Sequence, residues 1–300
     1  MKPQFGKIYV AAAFFVLTAM YSCKKSGNDI PLAPPADISA ELILKTYTIS
    51  TIPISLQKDT VVTDFTYDDQ NRLIKITGKD LNNLSVVQST MSEFKFNGND
   101  TLPFQRDMYE NGSLVNKVFQ SFNGNELVKD STLTYQGSSV VQARIALYNS
   151  STQKIEHNDV VKYYSNGTYS GLNDKYKYTT QGITNDNYGN VLQWTDSAFN
   201  QTGYMYWGQY VKTYTNSQNP FHYLNRRGQY LKLIDSDRDM DVFYRVNKGS
   251  SKAVAKTTAY SNQVNYTYSY YPDGRIKEIN EALTFGGSTQ QNKFVIFYKN

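Results

Sequence analysis

Asp235, Asp237, Asp239 and Asp241 alternate along a single stretch of the chain. Hard cations such as Ca²⁺ take several oxygen ligands from a short loop, so this stretch is the candidate calcium site. An EF-hand register would require glycine at the sixth loop position and glutamate at the twelfth. Met240 and Val246 stand there instead, which favours a solvated turn. A second candidate is aromatic. Tyr204-Met-Tyr-Trp-Gly-Gln-Tyr210, with Trp194 upstream, is the densest run of rings. On a strand, Tyr204 and Tyr206 are expected on one face and Met205 and Trp207 on the other. Such a platform (Trp194, Tyr204, Tyr206, Trp207, Tyr210) could stack on sugars or bind an exposed partner. The plain alternative is cross-strand packing within a sheet.

Other chemistry is thin. His157 and His222 are the only histidines, and neither has a cysteine or glutamate at ligand spacing. A glycosidase needs two carboxylates at fixed separation, and Asp186, Asp196, Glu278 and Glu281 are not paired by their spacing. No G-x-S-x-G elbow, phosphate-binding loop or dinucleotide fingerprint occurs. No catalytic residue is therefore assigned, and no cofactor beyond the calcium candidate.

The elements that must carry these residues read as strands. The chain holds 26 Tyr and 15 Phe against 2 Trp, residues that suit a half-buried pleated surface. Asn, Asp, Gly and Ser fill the gaps between aromatic runs, which is turn chemistry. Val264-Asn-Tyr-Thr-Tyr-Ser-Tyr270 alternates, with Val264, Tyr266, Tyr268 and Tyr270 on one face. Asp273-Gly274 follows as a hairpin turn in which both central residues are expected at positive φ. Weaker copies turn at Asn97-Gly98, Asn123-Gly124, Gln136-Gly137, Asn166-Gly167 and Asn187 to Asn190. Phe294 to Tyr298 is a continuous apolar run and predicts a strand buried on both faces. Asn219 and Pro220 predict the start of a short helix ending near Gly228, and 37–46 predicts a short helix or the lead-in to the first strand.

Tyr67-Asp68-Asp69-Gln70-Asn71-Arg72-Leu73 resembles the YD repeat of RHS proteins, and Tyr271-Pro272-Asp273-Gly274-Arg275-Ile276 is a second partial match. Asn71 replaces the family's glycine, and Tyr271-Pro272 departs from its Tyr-Asp pair. The resemblance implies a curled β-shell of hairpins, in the manner of small outer-membrane lipoproteins that carry YD-like hairpins. It implies architecture and not activity.

The N-terminus fixes an address. Lys2 and Lys7 precede a mostly apolar run from Ile8 to Met20, too short for the roughly 20 residues of a membrane span. Leu17-Thr-Ala-Met-Tyr-Ser-Cys23 then resembles a bacterial lipobox, with Met20 where leucine is usual. The resemblance implies cleavage before Cys23, the chain's single cysteine, and acylation of its thiol with lipids such as palmitate. Lys24 after the cysteine implies outer-membrane sorting, with the periplasmic or cell-surface face left open.

The reading is a signal peptide over 1–22, a flexible tether over 23–37 stiffened by Pro31, Pro34 and Pro35, and one domain over 38–300. The fold class is all-β, an antiparallel hairpin meander forming one large curled sheet, either barrel-like or a sandwich. A formal charge of +5 with no basic stripe gives no reason to expect nucleic acid. The expected role is a lipid-anchored, non-enzymatic envelope protein whose partners are the membrane and a glycan or envelope protein. A polysaccharide-binding or glycan-hydrolysing module using residues 204–210 is the alternative.

Overall fold

The computed structural model describes residues 42–51, 58–82, 85–151, 153–187, 189–222, 224, 252–259, 262–285 and 288–299. They form sixteen strands: β1 (Ile43–Thr51), β2 (Lys58–Tyr67), β3 (Leu73–Asn82), β4 (Ser85–Lys95), β5 (Gln105–Glu110), β6 (Ser113–Asn123), β7 (Glu126–Gln136) and β8 (Ser139–Ser150), then β9 (Lys154–Ser165), β10 (Thr168–Asn185), β11 (Val191–Asn200), β12 (Gly203–Gln218), β13 (Lys252–Ala259), β14 (Asn262–Tyr270), β15 (Ile276–Phe285) and β16 (Ser288–Tyr298). Each pairs with its sequence neighbours, and β16 closes onto β1, so the curled sheet is a barrel and not a sandwich. Closure removes the two edges that an open meander would leave to pair with other chains.

Alternation divides every strand into an inner and an outer face. Thr46, Thr63 and Ile296 share one register row and point inward, whereas Lys45 and Asp64 pair outward. β1 starts and β16 ends at the same end of the barrel, here the terminal end. There the inner wall is apolar: Ile43, Phe65, Leu73, Phe94, Ile276, Phe294 and Ile296 form one cluster with Phe221 and Leu224 from the segment after β12. A second cluster joins Leu127, Tyr148, Ile155, Val191 and Trp194 on β7 to β11.

The tyrosines have a common use at this end. Tyr67 donates to the Ile43 carbonyl at 2.8 Å, Tyr214 to Val191 at 2.6 Å, Tyr271 to Ile296 at 2.8 Å and Tyr298 to Ile276 at 2.9 Å. Tyr268 donates to Val254 in the same way. The Tyr67, Tyr214, Tyr268 and Tyr298 rings pack on the apolar cluster while their hydroxyls satisfy main-chain acceptors, which phenylalanine could not do.

The turns follow from local chemistry, with one correction. At Asp68–Arg72, Asp186–Asn190 and Tyr271–Arg275 the first N–H donates to the fifth carbonyl and the fourth N–H to the first carbonyl, at 2.9–3.1 Å. Among the described residues of these turns the fourth is the left-handed one: Asn71 at φ 56°, Gly189 at 80° and Gly274 at 87°. Asp273-Gly274 is thus not a two-residue turn with both φ positive. That geometry occurs at Asn166-Gly167 and at Asn111-Gly112, which joins β5 to β6.

Two strand expectations also change. Phe294 and Ile296 are buried inward, but Phe297 is 41% exposed outward, so β16 is buried on one face. β1 replaces the helix considered for 37–46, whose residues before Leu42 lie outside the described ones. Asn219 does cap a turn, accepting from the Phe221 N–H at 3.0 Å; Gly228 is outside the described residues.

Candidate functional site on the inner wall

Below the apolar ring, β7 to β10 bring separated residues into one charged cluster. The register aligns Asp130 with Ala146, Ala146 with Asp159, and Tyr148 with His157 and Tyr178. All face the lumen. Arg144 donates from its Nε to Asp159 at 2.7 Å and from a terminal nitrogen to Asp130 at 3.1 Å. The Tyr148 hydroxyl donates to the other Asp130 oxygen at 2.7 Å. His157 Nδ1 lies 3.1 Å from Asp159, and its ring is stacked between Tyr148 at 5.2 Å and Tyr178 at 4.3 Å. The arrangement is a closed circuit: Arg144 to Asp130, to Tyr148, to His157, to Asp159 and back.

Electrostatics follow from burial and pairing. The side chains of Asp130 and Asp159 are 2% and 5% exposed. Burial alone would raise the Asp159 carboxyl, but hydrogen bonds from His157 and Arg144 and the guanidinium charge hold it below its ordinary value. Burial opposes the Arg144 charge as well, and Asp130, Tyr148 and Asp159 together push that group above its usual range. Nearer the opposite, hairpin end, the Tyr163 hydroxyl donates to Asp174 at 2.7 Å and is pushed up to about 12 by that bond.

This chemistry is that of a lock. A carboxylate pair that works as acid and base has environments that drive its two members apart, one kept protonated. Here one guanidinium serves both acids.

The aromatic candidates do not converge on one platform. Trp194 is fully buried; its ring stacks on Tyr210 at 5.1 Å and its Nε1 donates to Asp196 at 2.9 Å. Buried Lys212 lies over the same indole at 5.7 Å. Tyr204 is exposed, edge-on to Phe199 at 5.4 Å. A register shift in β12 sets Tyr206 opposite Ala198 and Tyr204 opposite Phe199. The Tyr206 and Trp207 side chains, Asp235 to Asp241 and Cys23 lie outside the described residues. Among the described residues no group of three or more His, Cys, Asp or Glu could hold a metal ion.

The circuit was missed by reading along the chain. Its one local signal is His157-Asn-Asp159, two polar groups on the same strand face.

No family model matches the sequence, and no curated protein matches it. Among solved structures, a porin-like protein from Bacteroides uniformis is similar at a TM-score of 0.51, with 11% identity over 85% of this chain and 97% of that one. A porin-like protein from Bacteroides vulgatus gives 0.49, with 12% identity over 85% and 98%. The likeness to the first of these is one of fold, a closed antiparallel β-barrel.

Proposed function

We propose that the chain is a lipid-anchored, non-enzymatic barrel of the bacterial cell envelope, held at a membrane surface and not threaded through it. The observation that carries this reading is the outer face. Ion pairs Lys45–Asp64 at 3.0 Å, Lys75–Glu93 at 3.8 Å, Lys95–Asp107 at 2.7 Å and Lys293–Glu278 at 3.0 Å lie there. A barrel in lipid presents an apolar band outward, and an outward lysine at mid-bilayer costs about 2–4 kcal/mol. This barrel carries such residues on many strands, so the hydrocarbon core does not suit its exterior. Cys23 then supplies the membrane attachment that the strands do not, because two or more acyl chains hold a protein firmly. The Arg144 circuit supports a structural role for the buried charges.

The test is metabolic labelling with palmitate followed by membrane fractionation. The expected result is label on the intact chain, its loss in Cys23→Ser, and release of the protein from membranes by detergent only. Label retained in Cys23→Ser would defeat the anchor. The glycan-binding alternative keeps a smaller footing in the exposed Phe199 and Tyr204 rings. Glycan-array binding that Tyr204→Ala removes, with the fold intact, would favour it.

A further inference from the structure

From β7 to β11 charge is divided between the two faces of the wall. From β7 to β11, alternation sends Asp130, Asp159, Asp174 and Asp196 to the lumen. The same alternation sends Lys129, Lys154, Lys162, Lys175 and Lys177 outward. Outward, Glu156 alone answers this group, shared by Lys154 at 2.9 Å and Lys177 at 3.2 Å. Lys162 lies over the Tyr169 ring at 5.8 Å. Lys129 and Lys175 have no ion-pair partner among the described residues. Elsewhere Lys45, Lys75, Lys95 and Lys293 are each matched by an acid, whereas Lys79, Lys117 and Lys256 have no ion pair among the described residues.

Large apolar side chains are interleaved with these lysines. Lys129 pairs directly with Leu147, Ile145 with Val160, Val160 with Lys175, and Lys177 with Phe199. Leu147 is 53% exposed, Ile145 38% and Phe199 40%. A flank that is cationic and apolar at once is poorly placed in open water. It is equally unsuited to the hydrocarbon core, where the ammonium groups would lose their hydration. It matches a headgroup layer, in which lysine stems lie on apolar surface with their charges among phosphates.

We propose that the β7–β11 flank rests on a phospholipid surface and binds its anionic headgroups, so that the anchored barrel lies on its side against the membrane. This rests on the surface-anchored reading given above. Nucleic acid fits the flank less well, since no arginine points outward from it and its aliphatic side chains offer nothing to a sugar-phosphate backbone.

The experiment is lysine acetylation of the full lipidated protein floated on vesicles, read by mass spectrometry. Phosphatidylcholine vesicles are compared with vesicles containing phosphatidylglycerol. Attraction of about 1 kcal/mol per lysine corresponds to roughly fivefold. Lys129, Lys162 and Lys175 should therefore react about fivefold more slowly on the anionic vesicles, with Lys45, Lys75 and Lys293 unchanged. A Lys129→Gln/Lys175→Gln variant, altered only on the surface, should lose the protection at Lys162. Equal rates on both vesicles, uniform slowing around the barrel, or the same protection by a DNA duplex without vesicles would each overturn the proposal. Failure to float on phosphatidylcholine would instead overturn the anchor. The flank is then judged by whether phosphatidylglycerol vesicles alone still slow the three lysines.

Discussion

Replacing Arg144 with methionine isolates what the inner-wall circuit contributes. The change keeps an unbranched apolar stem but removes both guanidinium hydrogen bonds, 2.7 Å to Asp159 and 3.1 Å to Asp130. Those carboxylates are almost wholly enclosed. Breaking a buried ion pair by deleting one partner costs about 3–5 kcal/mol, because the other charge is left uncompensated. Arg144 retains 26% side-chain exposure, so water can relieve part of the loss and the lower figure, about 3 kcal/mol at pH 7, is expected. The pH dependence gives a sharper check. In the parent protein the Asp159 carboxyl lies below its ordinary value. Its contribution is therefore complete above about pH 4 and is lost as pH falls through the lowered value. In the variant, burial of Asp159 is no longer opposed by the guanidinium and its carboxyl rises. It then penalises the fold at neutral pH, and the penalty fades as acid protonates it. Urea unfolding followed by near-ultraviolet circular dichroism should show a gap of about 3 kcal/mol at pH 7 that narrows toward pH 4. A gap under about 1 kcal/mol, or one constant from pH 7 to pH 4, would refute the account of a circuit held by charge.

Asp68 accepts from the Gln70 and Arg72 N–H groups and from the Arg72 guanidinium at 2.7–3.0 Å. Asp68→Ala should cost about 2 kcal/mol in the same unfolding assay, and Asp273→Ala less because its carboxylate is far more exposed; an equal or reversed order would count against capping as the source. A Cβ at Gly208 would stand 2.8 Å from the Tyr210 ring. Gly208→Ala should therefore displace that ring from Trp194, cost about 1–3 kcal/mol and shift the Trp194 emission in a Trp207→Phe background; unchanged emission would place Tyr210 elsewhere.

Much of the architecture is legible in the chain because period-two alternation and turn residues are local. Val264 to Tyr270 alternates in the sequence and does so in the barrel, with Val264 and Tyr266 buried. Turns at Asn166-Gly167 and Gly137 lie where their dipeptides stand. What failed is what locality cannot carry. The register shift beside Tyr204 is set by pairing with β11 and is not visible from counting residues along β12. The apolar run 294–298 suggested two buried faces, yet only a strand closed into a single-layer wall leaves Phe297 outward. Asp130, Arg144 and Asp159 are far apart in sequence and meet only through two successive hairpin registers.

The abundance of tyrosine over phenylalanine has a physical reason once the wall is known to be one layer thick. In a sandwich the inward face meets a second sheet, and phenylalanine serves as well as tyrosine. In a wide barrel the inward rings of the terminal end lie within reach of main-chain carbonyls. A ring ending in a donor serves both, as Tyr67 and Tyr298 do against Ile43 and Ile276. The same single layer explains the segregation of charge on β7 to β11. Each charged residue must choose lumen or exterior, and acids drawn inward to Arg144 leave the lysines beside them facing out. The inner lock and the outer cationic flank are thus two faces of one alternation. A shift of one residue in the pairing of β8 with β9 would destroy both together.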